Sequence, residues 1–245
     1  MKIAVLSDIH GNLGALDAIL HDIAQRDVDL IVNLGDILSG ALQPVETADR
    51  LMALNLPTIR GNHERQVLAG DPTRMGPSDK MAYSLLQPKH THWLAGLPES
   101  LRLFDDVLMM HGTPDSDLTY LLEVVTASGC RSAMKHEVAQ RLAHIDASLI
   151  LCGHTHLPRS VRLDDGRLIV NPGSVGLQAY EDEHPYLHRM ETGSPHARYA
   201  IVERSTTGWS SQLLAIEYDW DTAAELAARN NRLDWICPLK TGYVK

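Results

Sequence analysis

The 245-residue sequence predicts an α/β fold organised on parallel strands. Three observations lead there. Apolar strand-like runs alternate with helical patterns from Lys2 to His63. The strand runs are almost continuously apolar, as expected of strands covered on both faces. Polar residues able to do chemistry cluster just past the strand ends. In open α/β sheets that is where ligands bind.

Taken in order, Lys2 to Leu6 is the first strand. The segment Met1-Lys2-Ile3-Ala4-Val5-Leu6 is too short for a signal peptide and meets Asp8 almost at once. Asn12 can cap a helix in which Leu13, Leu16, Ile19, Leu20 and Ile23 recur at helical spacing. Leu30 to Leu34 is a second strand, ending at Gly35-Asp36. Pro44 can start a second helix with Ala48, Leu51 and Leu54 on its apolar face. Pro57 to Arg60 reads as a third, short strand before Gly61-Asn62-His63. Strand-helix units in succession imply right-handed parallel crossovers.

Residues 71–76 read as a loop and 78–86 as a helix. Leu101–Phe104 and Val107–Met110 flank Asp105-Asp106, a hairpin signal, and the second strand ends at His111. A polar loop at 113–117 precedes two helical stretches, 118–125 and 132–143. Ser148 to Cys152 is a buried strand leading into Gly153-His154-Thr155-His156. Another hairpin surrounds Asp164-Asp165-Gly166, and Asn171-Pro172-Gly173-Ser174 is a turn. Residues 178–197 read as a long polar loop. Strands at 199–203 and 212–218 and a helix at 222–228 complete the chain, with 221–245 a C-terminal helix and tail. No repeat or low-complexity segment interrupts the pattern, and the expectation is one domain over 1–245.

Composition narrows the classes of function. The chain is 44% hydrophobic and 22% charged, with net charge −9 from 31 acidic and 22 basic residues. That balance argues against nonspecific nucleic-acid binding, which needs a basic face. No run has transmembrane length. Cys130, Cys152 and Cys237 are odd in number and widely spaced. They fit reduced thiols in a cytoplasmic protein, not a disulfide framework or a cysteine zinc site.

Thirteen histidines is a high count for this length, and their placement matters more. Asp8 and His10 are two apart on extended chain, so their side chains share a face. Asp36 follows a glycine at a strand end, where its two oxygens can bridge two cations. Asn62 offers a neutral oxygen, and His111 ends an apolar strand. His154 and His156 share one turn and would repel if both were protonated; a metal resolves that. Singly, each has a plainer reading: a capping Asp, a turn Asn, a core His. Five such motifs at five strand ends point to a metal site, with the oxygen and imidazole ligands that borderline transition metals prefer. His184 and His188 are four apart, but Pro185 and polar surroundings suggest a loop. His90, His92, His136 and His144 read as surface or loop histidines, and Cys152 as a small core residue.

Asp8-x-His10, Gly35-Asp36, Gly61-Asn62-His63-Glu64, His111 and Gly153-His154-x-His156 together resemble the five motifs of the calcineurin-like metallophosphoesterases. Asn171-Pro172-Gly173-Ser174 extends the likeness to the small bacterial and archaeal phosphodiesterase branch. The resemblance covers about the first 175 residues. It implies a four-layer sandwich of two packed mixed β-sheets flanked by helices. It implies two divalent transition-metal ions, from among Mn, Fe, Zn and Ni. Asp8, His10 and His156 would hold the first, and Asn62, His111 and His154 the second, with Asp36 bridging. His63, beside Asn62, would serve the leaving group and not the metals.

The implied chemistry is hydrolysis of a small phosphoester. Paired cations about 3.5–4 Å apart hold a bridging hydroxide for in-line attack on phosphorus. His63, titrating near neutrality, can protonate the leaving oxygen or orient groups around it. The alternative is a metal-binding scaffold or protein-interaction module on the same fold; the complete ligand set favours the enzyme. A nuclease of the same superfamily would call for a basic groove.

Overall fold

The computed structural model describes residues 1–245. The first half contains β1 (Lys2–Leu6), α1 (Leu13–Ile23), β2 (Leu30–Asn33), α2 (Pro44–Leu54), α3 (Asn62–Leu68), α4 (Pro77–Leu85) and α5 (Pro88–Ala95). It continues through β3 (Ser100–Leu103), β4 (Val107–Met110), β5 (Glu123–Thr126), β6 (Gly129–Ser132), α6 (Lys135–Arg141) and β7 (Leu149–Leu151). Then follow β8 (Arg159–Arg162), β9 (Leu168–Asn171), β10 (Ala179–Asp182), β11 (His188–Glu191), β12 (Ala197–Ser205) and β13 (Gly208–Ile216). Last come α7 (Trp220–Arg229), a 3₁₀ turn at Leu233–Trp235 and α8 (Ile236–Thr241).

Two mixed sheets carry the fold. One has the order β13-β12-β1-β2, the other β3-β4-β7-β9-β8. β1 runs parallel to β2 and antiparallel to β12, with Lys2 opposite Glu203. β7 lies between β4 and β9, parallel to both. Side chains alternate across each strand. Ile3 and Val5 of β1 therefore join Met109, Leu149, Leu151 and Val170 in the layer between the sheets. Ala4 and Leu6 face the other way, against Leu16 and Ile19 of α1 and Ala227 of α7. On the far side, Ile150 and Ile169 pack on Val138 and Leu142, in and just after α6. The result is helix, sheet, sheet, helix, the four-layer sandwich expected. No helix is long and apolar enough to cross a membrane.

Local chemistry explains how the first two helices start. Asn12 caps α1 by accepting from the Ala15 N–H at 3.1 Å. Pro44 opens α2, where its missing N–H costs nothing.

Several readings change or gain detail. Residues 178–197 do not form a long loop: β10 and β11 pair antiparallel there, with Ala179 opposite Glu191. The alternating burial of His188 and Met190 is a strand signature, and Pro185 sits at the hairpin tip, where it interrupts no ladder. Residues 118–125 are not helical. The β-branched run Val124-Val125-Thr126 pairs with Arg131, Cys130 and Gly129 as a hairpin. The third strand at 57–60 shrinks to one parallel bridge, Asn33 to Thr58. The strands after His156 divide: β8 and β9 join the second sheet, while β12 and β13 extend the first. Helix α5 was not foreseen, and His90 within it is fully buried, bonded to Asp49 at 3.0 Å.

Candidate active site

β1, β2, β4 and β7 deliver their C-terminal ends to one place. The turns beyond them are strained: Asp8, His10, Asp36, His154 and His156 all have positive φ, between 52° and 69°. Only eight non-glycine residues in the chain do so, and these five are all predicted metal ligands. Left-handed backbone at Asp and His is uncommon and is concentrated at functional sites.

Backbone hydrogen bonds hold these turns. Glu64, buried, accepts from the N–H groups of Asp36, Ile37 and Gly61 at 2.8 Å each. It welds the second and third motifs together. Asn171 donates to the Gly153 carbonyl at 2.8 Å and to Thr155 Oγ1 at 3.0 Å, fixing the His-x-His turn. Ser174 Oγ donates to the Asp8 carbonyl at 2.7 Å. Gly153 does not have positive φ. Its reason is space, because a Cβ would collide with Ser7 Oγ and press on Asp8 Oδ2.

The predicted ligands fall into two buried groups. Asp8, His10 and His156 form one, and Asp36, His111 and His154 the other. Within each, the candidate ligand atoms lie within 4.8 Å of one another. The proton positions show what these groups await. His10 Nδ1 lies 2.7 Å from the Ser39 carbonyl, and His156 Nδ1 lies 2.7 Å from the Leu177 carbonyl. A carbonyl only accepts, so both Nδ1 atoms carry protons and donate. The two Nε2 atoms then present lone pairs to each other at 3.0 Å. Asp8 Oδ1, 3.4 Å from His156 Nε2, has no hydrogen-bond partner. With both rings neutral, three acceptors converge, and a cation would satisfy all three.

The second group repeats the design. His111 Nδ1 donates to the Leu34 carbonyl at 2.8 Å, aiming Nε2 at Asp36 Oδ2, 3.0 Å away. His154 engages the Leu118 carbonyl through Nε2 at 3.1 Å, so Nδ1 points inward. The inward atom of the Asn62 amide lies 3.2 Å from Asp36 Oδ2, 3.2 Å from His111 Nε2 and 3.1 Å from His154 Nδ1. With nitrogen inward it donates to these acceptors. With oxygen inward it becomes the fourth acceptor, the orientation a cation selects. The donor set, nitrogen and oxygen with no sulfur, fits a divalent transition metal in each group.

Electrostatics agree. Burial pushes His10 down to about 3 and His154 down to about 4, so both are the neutral imidazoles a metal needs. At His111 burial acts downward too, but the Asp36 carboxylate outweighs it and raises the ring to about 10. A cation between the pair takes the place of that proton.

His63 stands apart from both groups. Its Nδ1 lies 2.6 Å from Asp79 Oδ1, and its ring meets that of His10 edge-on at 5.4 Å. Burial opposes its charge, but Asp36 and Asp79 outweigh that and hold it at about 9. Asp79 escaped the sequence reading. An acid in the first turn of a helix after Pro77 looks like any other. Also unforeseen are Tyr120 and Tyr180, whose hydroxyls meet at 2.8 Å and whose rings pack on His154 and His156. His188 bonds Tyr120 at 2.9 Å, tying the β10–β11 hairpin to the site. A cleft of about 930 Å³ opens over His10, Asp36, Asn62, His63, His154 and His156.

A two-sheet sandwich with this cluster at its strand ends defines a metallophosphoesterase. The chain belongs to the calcineurin-like phosphoesterase superfamily, whose domain model matches residues 1–193. It is a phosphoric ester hydrolase. It is 26% identical to an uncharacterized protein of Methanocaldococcus jannaschii over 248 residues, spanning 96% of this chain and 95% of that one. It superposes on the crystal structure of a metallophosphoesterase from Sphaerobacter thermophilus with a TM-score of 0.78 at 26% identity, covering 99% of this chain and all of the other.

Proposed function

We propose that the protein hydrolyses small phosphoesters with two divalent transition-metal ions, Mn, Fe, Zn or Ni. The carrying observation is the pair of buried ligand groups, above all His10 Nε2 facing His156 Nε2 at 3.0 Å. Asp8, His10 and His156 would hold one ion. Asn62, His111 and His154 would hold the other, and Asp36 would bridge them. Such ions supply a nucleophile from water at neutral pH and offset charge on the phosphoryl oxygens.

The chain's own residues do the rest. Each imidazole is oriented by a backbone carbonyl, so the rings are already aimed; binding would turn the Asn62 amide and release the His111 proton. His63 holds its Nδ1 proton against Asp79, which leaves Nε2–H as the donor toward the cleft. The Asp79 carboxylate favours the charged ring, which can deliver its proton to the leaving oxygen. Tyr120 packs on His154 and Tyr180 on His156, which braces the two rings.

Free Cys130, Cys152 and Cys237 support a cytoplasmic setting, and the inter-sheet core supports one folding unit over 1–245. The competing reading, a non-catalytic interaction module, finds less support because every ligand position is filled. The deciding experiment is elemental analysis of the purified protein combined with assays on a phosphomonoester and a phosphodiester. Two metal equivalents with turnover are expected. Two equivalents without turnover on any ester would favour the module.

A further inference from the structure

The family match ends at residue 193, yet the chain beyond it returns to the cleft. Arg232, Asp234, Trp235 and Pro238 line that wall. Arg232 is the one Lys or Arg among the lining residues. Its side chain is only 13% exposed.

The guanidinium is preset. Nε–H and Nη2–H donate to Asp234 at 2.9 and 2.7 Å, and Nη1–H donates to Ser78 Oγ at 3.0 Å. Its carbon lies 5.5 Å from the centre of the Trp235 ring. Ser78 neighbours Asp79, the partner of His63, so Arg232 stands on the leaving-group side of the cleft. A guanidinium carries five N–H donors. Three are used here, and one on each terminal nitrogen has no protein acceptor. Asp234 is 61% exposed, so water screens its hold on the charge. A fixed, mostly buried guanidinium with two donors left over matches an oxyanion. Asp234 is the carboxylate paired with it; Glu181 and Asp182 have other partners. Glu181 is engaged by Arg189 at 2.8 Å, and Asp182 accepts from the His184 N–H at 2.9 Å.

We propose that Arg232 binds a second anionic group of the substrate, carried by its leaving group. The favoured substrates are then phosphoesters whose alcohol bears a carboxylate or another phosphate. This rests on the phosphoesterase reading and adds selectivity to it.

The test compares phenyl phosphate, 4-carboxyphenyl phosphate and 1,4-phenylene bisphosphate on the manganese-reconstituted full chain. The wild-type protein should show a higher kcat/KM for the two esters with a distal anion, and the larger ratio identifies which anion fits. Arg232→Gln should lower those ratios on the order of tenfold, the worth of charge-assisted hydrogen bonds. Asp234→Asn, which frees the guanidinium, should raise them. Equal loss on all three esters in Arg232→Gln would make the arginine a tie between the C-terminal segment and α4, and would overturn the proposal. So would a wild-type ratio of one, or a lowered ratio in Asp234→Asn. Binding of benzylphosphonate and 4-carboxybenzylphosphonate, followed by calorimetry, repeats the comparison without turnover. If no ester is hydrolysed, the phosphoesterase reading fails while this binding preference still decides the role of Arg232.

Discussion

His10 and His156 turn their Nε2 atoms toward each other at 3.0 Å, each ring held by a carbonyl behind its Nδ1. With both rings neutral, two lone pairs at that distance repel, and folding keeps them there. Metal should therefore stabilise the protein strongly. At a hundred times Kd a ligand specific for the folded state adds about 2.7 kcal/mol. A chelator should lower Tm by several degrees, and restored metal should recover it. His10→Ala should bind one equivalent less than the wild-type protein. An unchanged Tm on chelation would count against a metal in this group.

His63→Ala should keep both metals and lose turnover. The loss should be about 10²–10⁴-fold on an alkyl or nucleoside ester, the usual range for general acid catalysis. It should be much smaller on a nitrophenyl ester, whose leaving group needs little protonation. Asp79→Asn should follow the same pattern more weakly, since it removes only the anchor at Nδ1. Equal slowing of both esters would assign His63 to positioning, and loss of metal would place it among the ligands.

Gly153→Ala should be far more damaging than Gly166→Ala. A methyl at 153 strikes Ser7 Oγ and Asp8 Oδ2, whereas at 166 it meets open space and only the φ of 92° resists it. The second change should cost about 1 kcal/mol. The first should cost more in urea unfolding and should also reduce metal content. Equal costs would refute the close-approach account of Gly153.

Glu123 gives a stability profile in pH. Burial raises its carboxyl to about 7 despite Arg159 at 3.6 Å, and Oε2 has no hydrogen-bond partner. In the unfolded chain the group ionises near 4.3. Between about pH 4.3 and 7 the folded state thus holds more proton, and its stability falls as pH rises. Glu123→Gln removes that fall. Its stability relative to wild type should climb between pH 5 and 8, by up to about 3 kcal/mol. A pH-independent difference would mean that Arg159 neutralises the carboxylate fully.

Much of this was legible in the sequence because it is local. The strands ending at Leu6, Asn33, Met110 and Leu151 announce themselves by apolar runs, and each is followed by its polar motif. What hid were partnerships between distant segments. Asp79 gains meaning only from His63, and Glu64 only from the N–H groups of Asp36 and Ile37. The β10–β11 hairpin was masked by its polar tip, while Tyr180 within it packs on His156. Residues 118–125 misled because Leu121, Leu122 and Val125 suit a helix as well as a strand.

The place of β1 between β2 and β12 has a consequence for truncation. Asp8 and His10 follow a strand whose second neighbour is Ala197–Ser205. His10 also faces His156 from 146 positions away, and Leu177 orients that partner ring. The first group therefore exists only where segments far apart in sequence are paired. A fragment that lacks β12 should lose the geometry of the site together with the support of β1.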